Sequence, residues 1–212
     1  MPLRKSWHWV GAFGPDVMLC VAHARVGVIR RSWWAVWDGT QLHEGTRAPF
    51  TLALERGTPI EVTTGPAFTR KTPLRVRGTV LGKTIDLPGL LDESHGRHAR
   101  RTAWMWSAGA GVTTDGAPVV WNLVDGLHDG TPSERTVWLD GVPHEVGPQP
   151  FDGLCGVGDL RFTASVTRAK KENYLVLASD YEQPFGTFTG SLPVAGELAS
   201  GHGVMERHEA LW

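Results

Sequence analysis

Length, composition and charge narrow the kinds of function open to this chain. Its 212 residues are 41% hydrophobic and 20% charged, which is typical of a globular protein. Its 21 basic and 22 acidic residues leave a net charge of −1, so neither nucleic acid nor an anionic membrane surface is an expected partner. Ten Trp residues predict a large core, an aromatic-lined cavity, or both.

The chain lacks the sequence signals of export and membrane insertion. Residues Met1–Val10 do not contain the apolar stretch of a signal peptide, and no run approaches the roughly 20 apolar residues of a membrane span. The two cysteines, Cys20 and Cys155, show no CxxC spacing and do not suggest a disulfide framework. These features predict a cytoplasmic protein with free thiols.

The predicted elements are β-strands along most of the chain. The 26 Gly and 14 Pro residues leave little room for helices, and the short segments between them are rich in Val, Thr, Trp and Phe. A helix over Glu93–Arg101 is the one alternative. Hairpin turns are expected at Leu81–Lys83 and Asp140–Gly141. In chain order, the predicted strands are Ser6–Phe13, Val17–Ala24, Ser32–Trp37, Ile60–Thr64, Leu74–Val80, Thr84–Leu87, Thr102–Gly109, Pro118–Val124, Thr136–Leu139, Leu160–Thr167, Tyr174–Ser179, Gly186–Leu192 and Gly203–Trp212.

These strands form two series, and each series opens with a W-x-W strand. Residues 1–87 are therefore predicted to form an N-terminal β-module and residues 102–212 a C-terminal one. The polar segment 88–101 is predicted to be the connecting loop, or a functional loop in its own right. Many short strands with regular turns predict a sandwich or barrel. One barrel of two folded sheets and two small barrels fit the pattern equally well.

Strand alternation predicts which tryptophans share a face. Residues i and i+2 of a strand point to the same side, so Trp7 pairs with Trp9, and Trp104 with Trp106. Such pairs either fill a core or line a binding space inside a barrel. We predict that they bind a ligand.

Two further strands combine apolar and polar side chains. In residues 118–129, Trp121 and Asp125 share one face and Asn122 lies on the other; all three are candidate ligand-binding residues. In the last strand, Glu206 and His208 share a face with apolar neighbours. A carboxyl beside an imidazole can act as a general acid or base, although a structural hydrogen-bonded pair would look the same.

The segment Asp92–His98 concentrates acids, imidazoles and a hydroxyl. Asp92, His95 and His98 could hold a metal ion, but the spacing matches no metal motif, and we predict no metal. Ser94 lies outside any GxSxG elbow. A polar lip or acid–base cluster at a cavity mouth and an ordinary solvated loop remain open. The chain has neither GxxxxGK[ST] nor GxGxxG followed by a helix, and no cofactor is expected.

Six stretches of the sequence carry a family resemblance. They read SWHWVGAFGPDVMLCVAHARVG, DESHGRHARRTAWMWSAGAG, WNLVDGLHDG, SERTVWLDGVPHEVGP, PFGTFTGSLP and GHGVMERHEALW. Together they resemble a bacterial lipocalin-like (calycin) family of unknown function, which is distantly similar to carotenoid 1,2-hydratase (hydroxyneurosporene synthase). The resemblance implies an all-β fold with lipocalin-like antiparallel β-barrel architecture in two packed modules. It also implies a cavity for an apolar molecule, such as a lipid or an isoprenoid.

Two functional hypotheses follow from the residues and the resemblance. The first is a lipocalin-like protein that binds an apolar small molecule in a Trp-lined cavity. The second is a cofactor-free hydratase, lyase or isomerase that protonates such a molecule, as the resemblance to the hydratases implies. In it Asp92 would be the acid, with His95, His98 or His208 as its partner and Trp104, Trp106 and Trp121 stabilising a cation. A solid Trp core without a cavity is the remaining alternative, and the oligomeric state stays open.

Overall fold

The computed structural model describes residues 4–97, 99–127, 130–174 and 177–211, and these residues are all-β. No described segment forms a helix that could cross a membrane. The first eight strands are β1 (Arg4–Phe13), β2 (Met18–Val26), β3 (Ile29–Trp37), β4 (Leu42–Gly45), β5 (Leu52–Arg56), β6 (Ile60–Thr64), β7 (Ala67–Val80) and β8 (Lys83–Arg97). The next eight are β9 (Arg101–Thr113), β10 (Pro118–Asp125), β11 (Thr136–Leu139), β12 (Val142–Glu145), β13 (Gly156–Val157), β14 (Leu160–Tyr174), β15 (Leu177–Leu192) and β16 (Gly196–Leu211).

The strands form two eight-stranded antiparallel sheets with matching connectivity. The first sheet runs β4-β3-β2-β1-β8-β7-β5, with β6 also paired to β7. The second runs β12-β11-β10-β9-β16-β15-β14-β13. In both, the first strand pairs with the last, as in eight-stranded up-and-down barrels of the lipocalin type, and the sheet is open after its fourth strand. The predicted fold class, all-β with two lipocalin-like antiparallel modules, is confirmed.

Both predicted hairpin turns are confirmed. Leu81 and Gly82 have φ values of 50° and 81°, and Asp140 and Gly141 have values of 50° and 77°. Two successive residues with positive φ are the signature of the two-residue turn that matches the twist of antiparallel strands. The turns connect β7 to β8 and β11 to β12.

The predicted connecting loop is wrong for most of its length. Residues 88–97 continue β8, which is hydrogen-bonded to β1 on one side and to β7 on the other. The alternative helix over Glu93–Arg101 is wrong for the same reason. The polar residues of this segment alternate across the two faces of a central strand. Their polarity suggested a loop because neither face of that strand is uniformly apolar there.

Three apolar clusters show how the modules pack. One fills the interior of the first module and includes Val10, Leu19 and Val76. A second fills the interior of the other module, around Trp121 and Phe188. The third combines residues of both sheets and forms the layer between the modules; it includes Trp9, Phe13, Met18, Leu90, Trp106, Trp138, Phe185 and Val204. Each sheet is therefore covered on both faces. The tryptophans of the W-x-W strands point into the layer between the modules and not into the interior of a module.

Candidate functional site

The candidate site is a cavity in the layer between the two modules. Its volume is about 110 Å³. Most of its lining is aromatic or aliphatic, with a small set of ionisable groups among the rings. The lining residues are Trp7, Trp9, Ala22, Ala24, Trp33, Lys71, Asp92, Trp104, Trp106, Val124, Leu127, Glu134, Tyr181, Glu206 and His208.

Strand register brings the first module's contribution together. Trp33, Ala22, Trp9, Asp92 and Lys71 lie opposite one another in a row across β3, β2, β1, β8 and β7. Directly opposed residues of an antiparallel sheet point to the same face. The row therefore presents a tryptophan, an alanine, a second tryptophan, a carboxylate and an ammonium group side by side. The small Ala22 leaves space between the two indole rings.

The second module supplies the facing wall by the same geometry. Trp104 lies opposite His208, and Trp106 lies opposite Glu206, on the paired strands β9 and β16. Across the layer, Trp106 meets Trp9 edge to face with ring centroids 4.9 Å apart. The ring of His208 lies 4.3 Å from that of Trp104. The predicted Trp pairs, Trp7 with Trp9 and Trp104 with Trp106, thus meet at one cavity.

A buried charged triad forms one end of the cavity. The ammonium of Lys71 lies 2.6 Å from Asp92 Oδ1 and 2.9 Å from Glu134 Oε2. Glu134 comes from the segment between β10 and β11, so the triad bridges the two modules, and Thr69 Oγ1 also donates to Glu134 Oε2 at 3.1 Å. The side chains of Lys71 and Glu134 are 4% and 3% exposed, so this ion pair is shielded from water.

Burial and charge act in opposite directions on the triad. Burial lowers the pKa of Lys71, but the carboxylates of Asp92 and Glu134 outweigh burial and hold that pKa above its ordinary value. Burial raises the pKa of Asp92; Lys71 opposes the rise, and Glu134 adds to it. A hydrogen bond from Trp7 stabilises the ionised form of Asp92. Lys71 is therefore a cation that holds two carboxyl groups in place, and not an amine nucleophile.

Glu206 is the carboxyl group at the opposite wall. Trp104 Nε1 donates to its Oε1 at 2.9 Å, and Gln183 Nε2 donates to its Oε2 at 2.7 Å. Burial raises the pKa of Glu206 to about 7, an effect that Asp92 reinforces and that the two hydrogen bonds and Arg168 oppose. At neutral pH the group is therefore divided between its acid and its carboxylate, as a general acid or base requires.

His208 lies beside Glu206 as the sequence pattern indicated. Its Nδ1 is 3.9 Å from Glu206 Oε1, and its Nε2 is 2.8 Å from Ser179 Oγ. Burial lowers the pKa of His208 to about 4, while Asp180 opposes that shift. The imidazole is therefore neutral at pH 7 and adds no positive charge to the cavity.

The structure does not bring the three predicted β10 residues to the cavity wall, although Val124 of the same strand lines it. Trp121 lies inside the second module, where its ring meets Phe188 at 5.0 Å and its Nε1 donates to Ser107. Asp125 shares that face and is exposed at the strand end. Asn122, on the other face, accepts from Trp106 Nε1 at 2.8 Å and donates to the Glu134 carbonyl at 2.7 Å. Asn122 therefore supports the wall from behind without lining the cavity.

Among the described residues of the predicted polar cluster, only one reaches the cavity. Asp92 does so, whereas His95 is exposed on the opposite face of β8 and packs on Phe68 at 4.9 Å. Ser94 is buried and donates to the Phe68 carbonyl, which occupies its hydroxyl. His98 lies outside the described residues. Among the residues that the structure describes, no group of three His, Cys, Asp or Glu side chains could hold a metal ion.

Several site residues gave no signal in the sequence. Lys71 is a lysine in an ordinary strand, Glu134 sits in an irregular segment, and Tyr181 lies on a long strand whose register a bulge shifts. Alternation within β7 places Lys71 and Thr69 on one face, but it does not reveal that this face is covered by another module. Their role depends on contacts between distant strands.

A groove adjoins the cavity and opens to the surface. It shares Ala24, Trp33, Tyr181 and His208 with the cavity and has a volume of about 440 Å³. Arg168 lies across it, 5.1 Å from the ring centroid of Tyr181 and 5.8 Å from that of Trp33, and pairs with Glu44 at 3.0 Å. The groove and the cavity therefore lie next to each other and share these four residues.

Part of the chain matches a family whose function is unknown. Residues 67–152 match a family described as a domain of unknown function, DUF2804. The resemblance to a family of unknown function is thereby confirmed for this part of the chain. No curated protein matches.

Solved structures match most of this chain at low sequence identity. A candidate AttH protein from Nitrosomonas europaea is 12% identical with a TM-score of 0.47, covering 96% of this chain and 92% of that one. Kievitone hydratase from Nectria haematococca is 10% identical with a TM-score of 0.46, covering 95% and 88%. CghA is 10% identical with a TM-score of 0.45, covering 99% and 88%.

Proposed function

We propose that this protein binds a small molecule with an apolar body in the cavity between its two β-modules. The observation that carries the proposal is the convergence of five Trp side chains and Tyr181 on one space that also holds the carboxyl of Glu206. Small-molecule sites are concave, largely apolar and equipped with a few polar groups that fix orientation. Here the apolar wall would hold the body of the ligand, and Glu206 would contact its polar or unsaturated part.

The size of the cavity limits what can enter it. An apolar cavity of roughly 150 Å³ in another protein holds benzene, and this cavity measures about 110 Å³. It therefore suits a single ring or a compact head group. A lipid or isoprenoid chain would place only its end here and extend along the adjoining groove, past Trp33 and Tyr181.

A cavity-filling substitution tests this proposal. Ala24 is half-buried and lines both the cavity and the groove, so Ala24→Leu places extra carbon atoms where the ligand would pass. Titrating a panel of ring compounds, fatty acids and isoprenoids against tryptophan fluorescence, we expect saturable quenching by at least one compound. The variant should weaken that affinity by roughly tenfold or more.

The matched control is Ala53→Leu, which adds the same group at an exposed position of β5. It should leave affinity unchanged. Absence of quenching by every member of the panel, or equal affinity in both variants, would contradict the cavity as a binding site.

The ionisation of Glu206 favours a second candidate function, cofactor-free acid catalysis on the bound molecule. In a hydration, Glu206 would give its proton to one alkene carbon, and water would add to the cation formed at the other. The proton released by that water would return to the Glu206 carboxylate. Glu206 takes the place assigned to Asp92 in the sequence-based hypothesis, because Lys71 already pairs with Asp92 at 2.6 Å. Aromatic walls stabilise a cation of this kind.

Glu206→Gln tests the catalytic candidate. Glutamine keeps the size of the side chain but has no acidic proton, so turnover of a bound alkene should fall by roughly 10²-fold or more while binding of neutral ligands persists. Because the acid form is required, the rate of the unmodified protein should fall as pH rises through about 7. Incubation in D₂O followed by mass spectrometry would detect addition of water or exchange. Undiminished turnover in the variant would reject Glu206 as the acid.

A further inference from the structure

Acidic side chains outnumber cationic ones in the lining of the cavity. Among the described residues, the carboxyl groups of Asp92, Glu134 and Glu206 face one ammonium group, that of Lys71. His208 adds no charge at neutral pH because burial lowers its pKa to about 4. Arg168, at the groove, is already paired with Glu44. Carboxylates in excess of their cations are costly in a water-poor site unless they take up a proton or meet another positive charge.

The aromatic lining, like the carboxyl groups, favours a positively charged ligand. The ring faces of Trp and Tyr carry negative electrostatic potential and attract cations within about 6 Å of the ring centroid. Two rings of this cavity already do so on their groove side, where the guanidinium of Arg168 lies 5.1 Å from Tyr181 and 5.8 Å from Trp33. Trp7, Trp9, Trp104 and Trp106 line the remaining walls.

We propose that the ligand of this cavity is an organic cation, an alkylated ammonium group with an apolar substituent. The proposal rests on the proposed function, because it specifies the chemistry of the molecule that the inter-module cavity binds. The ammonium group would lie among the indole rings between Glu206 and the triad of Lys71, Asp92 and Glu134. Its substituent would follow the groove past Ala24. The cation is organic because the wall is mainly aromatic carbon, whereas a bare metal ion needs converging oxygen, nitrogen or sulfur ligands.

An isosteric pair of probes tests the charge preference directly. Choline and its uncharged carbon analogue 3,3-dimethylbutan-1-ol have the same shape and differ in the central atom and its charge. Titrated at pH 8 against tryptophan fluorescence and by calorimetry, choline should bind roughly tenfold or more tightly than the alcohol. Equal or tighter binding of the alcohol would overturn the cationic ligand and leave the proposed function standing.

The pH dependence gives a second readout on the same probes. Protons compete with a cation for Glu206, so choline should bind more weakly at pH 6 than at pH 8, and the alcohol should not change. The groups that face Glu206 are Trp104 on β9, Gln183 and Tyr181 on β15, His208 on its own strand, and Asp92, Cys20 and Arg168 nearby. Of these, only Asp92 also has a raised carboxyl pKa, and its titration acts in the same direction.

Variants separate the charge from the shape of the site. Glu206→Gln should reduce choline affinity by roughly tenfold and leave the alcohol unaffected. Glu93→Gln is the matched control. Glu93 lies on the face of β8 opposite to Asp92, and its substitution should change the affinity for neither choline nor the alcohol. Unchanged choline affinity in Glu206→Gln would also overturn the proposal. If choline does not bind while neutral members of the panel do, only the cationic-ligand proposal is rejected. If no compound binds, the proposed function is rejected as well.

Discussion

Replacing Lys71 by Met is expected to destabilise the folded protein by about 3–5 kcal/mol, the cost of removing one partner from a buried ion pair. Methionine fills most of the space but leaves Asp92 and Glu134 facing each other without the cation that now lies 2.6 and 2.9 Å from them. Because Glu134 belongs to the second module, the loss also loosens a bridge between the modules. Urea denaturation followed by tryptophan fluorescence would measure the change in the free energy of unfolding.

The penalty of Lys71→Met should depend on pH. Burial already raises the pKa of Asp92, and without the cation that opposes this rise the pKa in the folded variant lies further above that of the unfolded chain. The folded variant then binds a proton more tightly than the unfolded chain, so its stability is greatest at low pH and falls as pH rises through the raised pKa of Asp92. The variant should therefore lose more stability relative to the unmodified protein at pH 8 than at pH 5.

An exposed lysine provides the matched control. Lys171 pairs with Asp180 at 2.7 Å, but its side chain is 81% exposed, so Lys171→Met should cost less than about 1 kcal/mol. Adding Asp92→Asn and Glu134→Gln to Lys71→Met should restore part of the stability, because neutral amides replace the unpaired carboxylates. Equal effects of Lys71→Met and Lys171→Met would show that the triad does not stabilise the fold.

Trp106→Ala is the second substitution with a large expected effect, again about 3–5 kcal/mol. The side chain of Trp106 is buried between the modules, meets Trp9 edge to face and donates to Asn122. Alanine would remove the ring and enlarge the cavity, and it would leave Asn122 Oδ1 without its donor. Thermal or urea unfolding would measure the loss.

Trp106→Phe separates packing from hydrogen bonding. Phenylalanine retains much of the ring contact with Trp9 but has no N–H for Asn122, so we expect a smaller loss of about 1–3 kcal/mol. Stability should therefore decrease in the order Trp, Phe, Ala at this position. A Trp106→Ala variant as stable as Trp106→Phe would contradict the idea that ring burial between the modules holds them together.

The all-β class, two hairpin turns and the tryptophan pairs that share a strand face were predictable from local sequence patterns. These features are local: residues with positive φ at Asp140 and Gly141 make the turn, and alternation places Trp104 and Trp106 on one face whatever lies opposite. The pairing of Glu206 with His208 followed from the same rule.

Which face of each strand is covered, and by what, depends on contacts between residues far apart in the chain. Alternation defines two faces of β10 but does not say that Trp121 points into its own module while Asn122 supports the wall between modules. It could not reveal that the polar segment after residue 88 is a central strand, or that Lys71 and Glu134 meet Asp92. Those contacts arise when two sheets dock through the faces that carry their W-x-W pairs. Docking depends on the combined shape and charge of distant strands, which no local pattern contains.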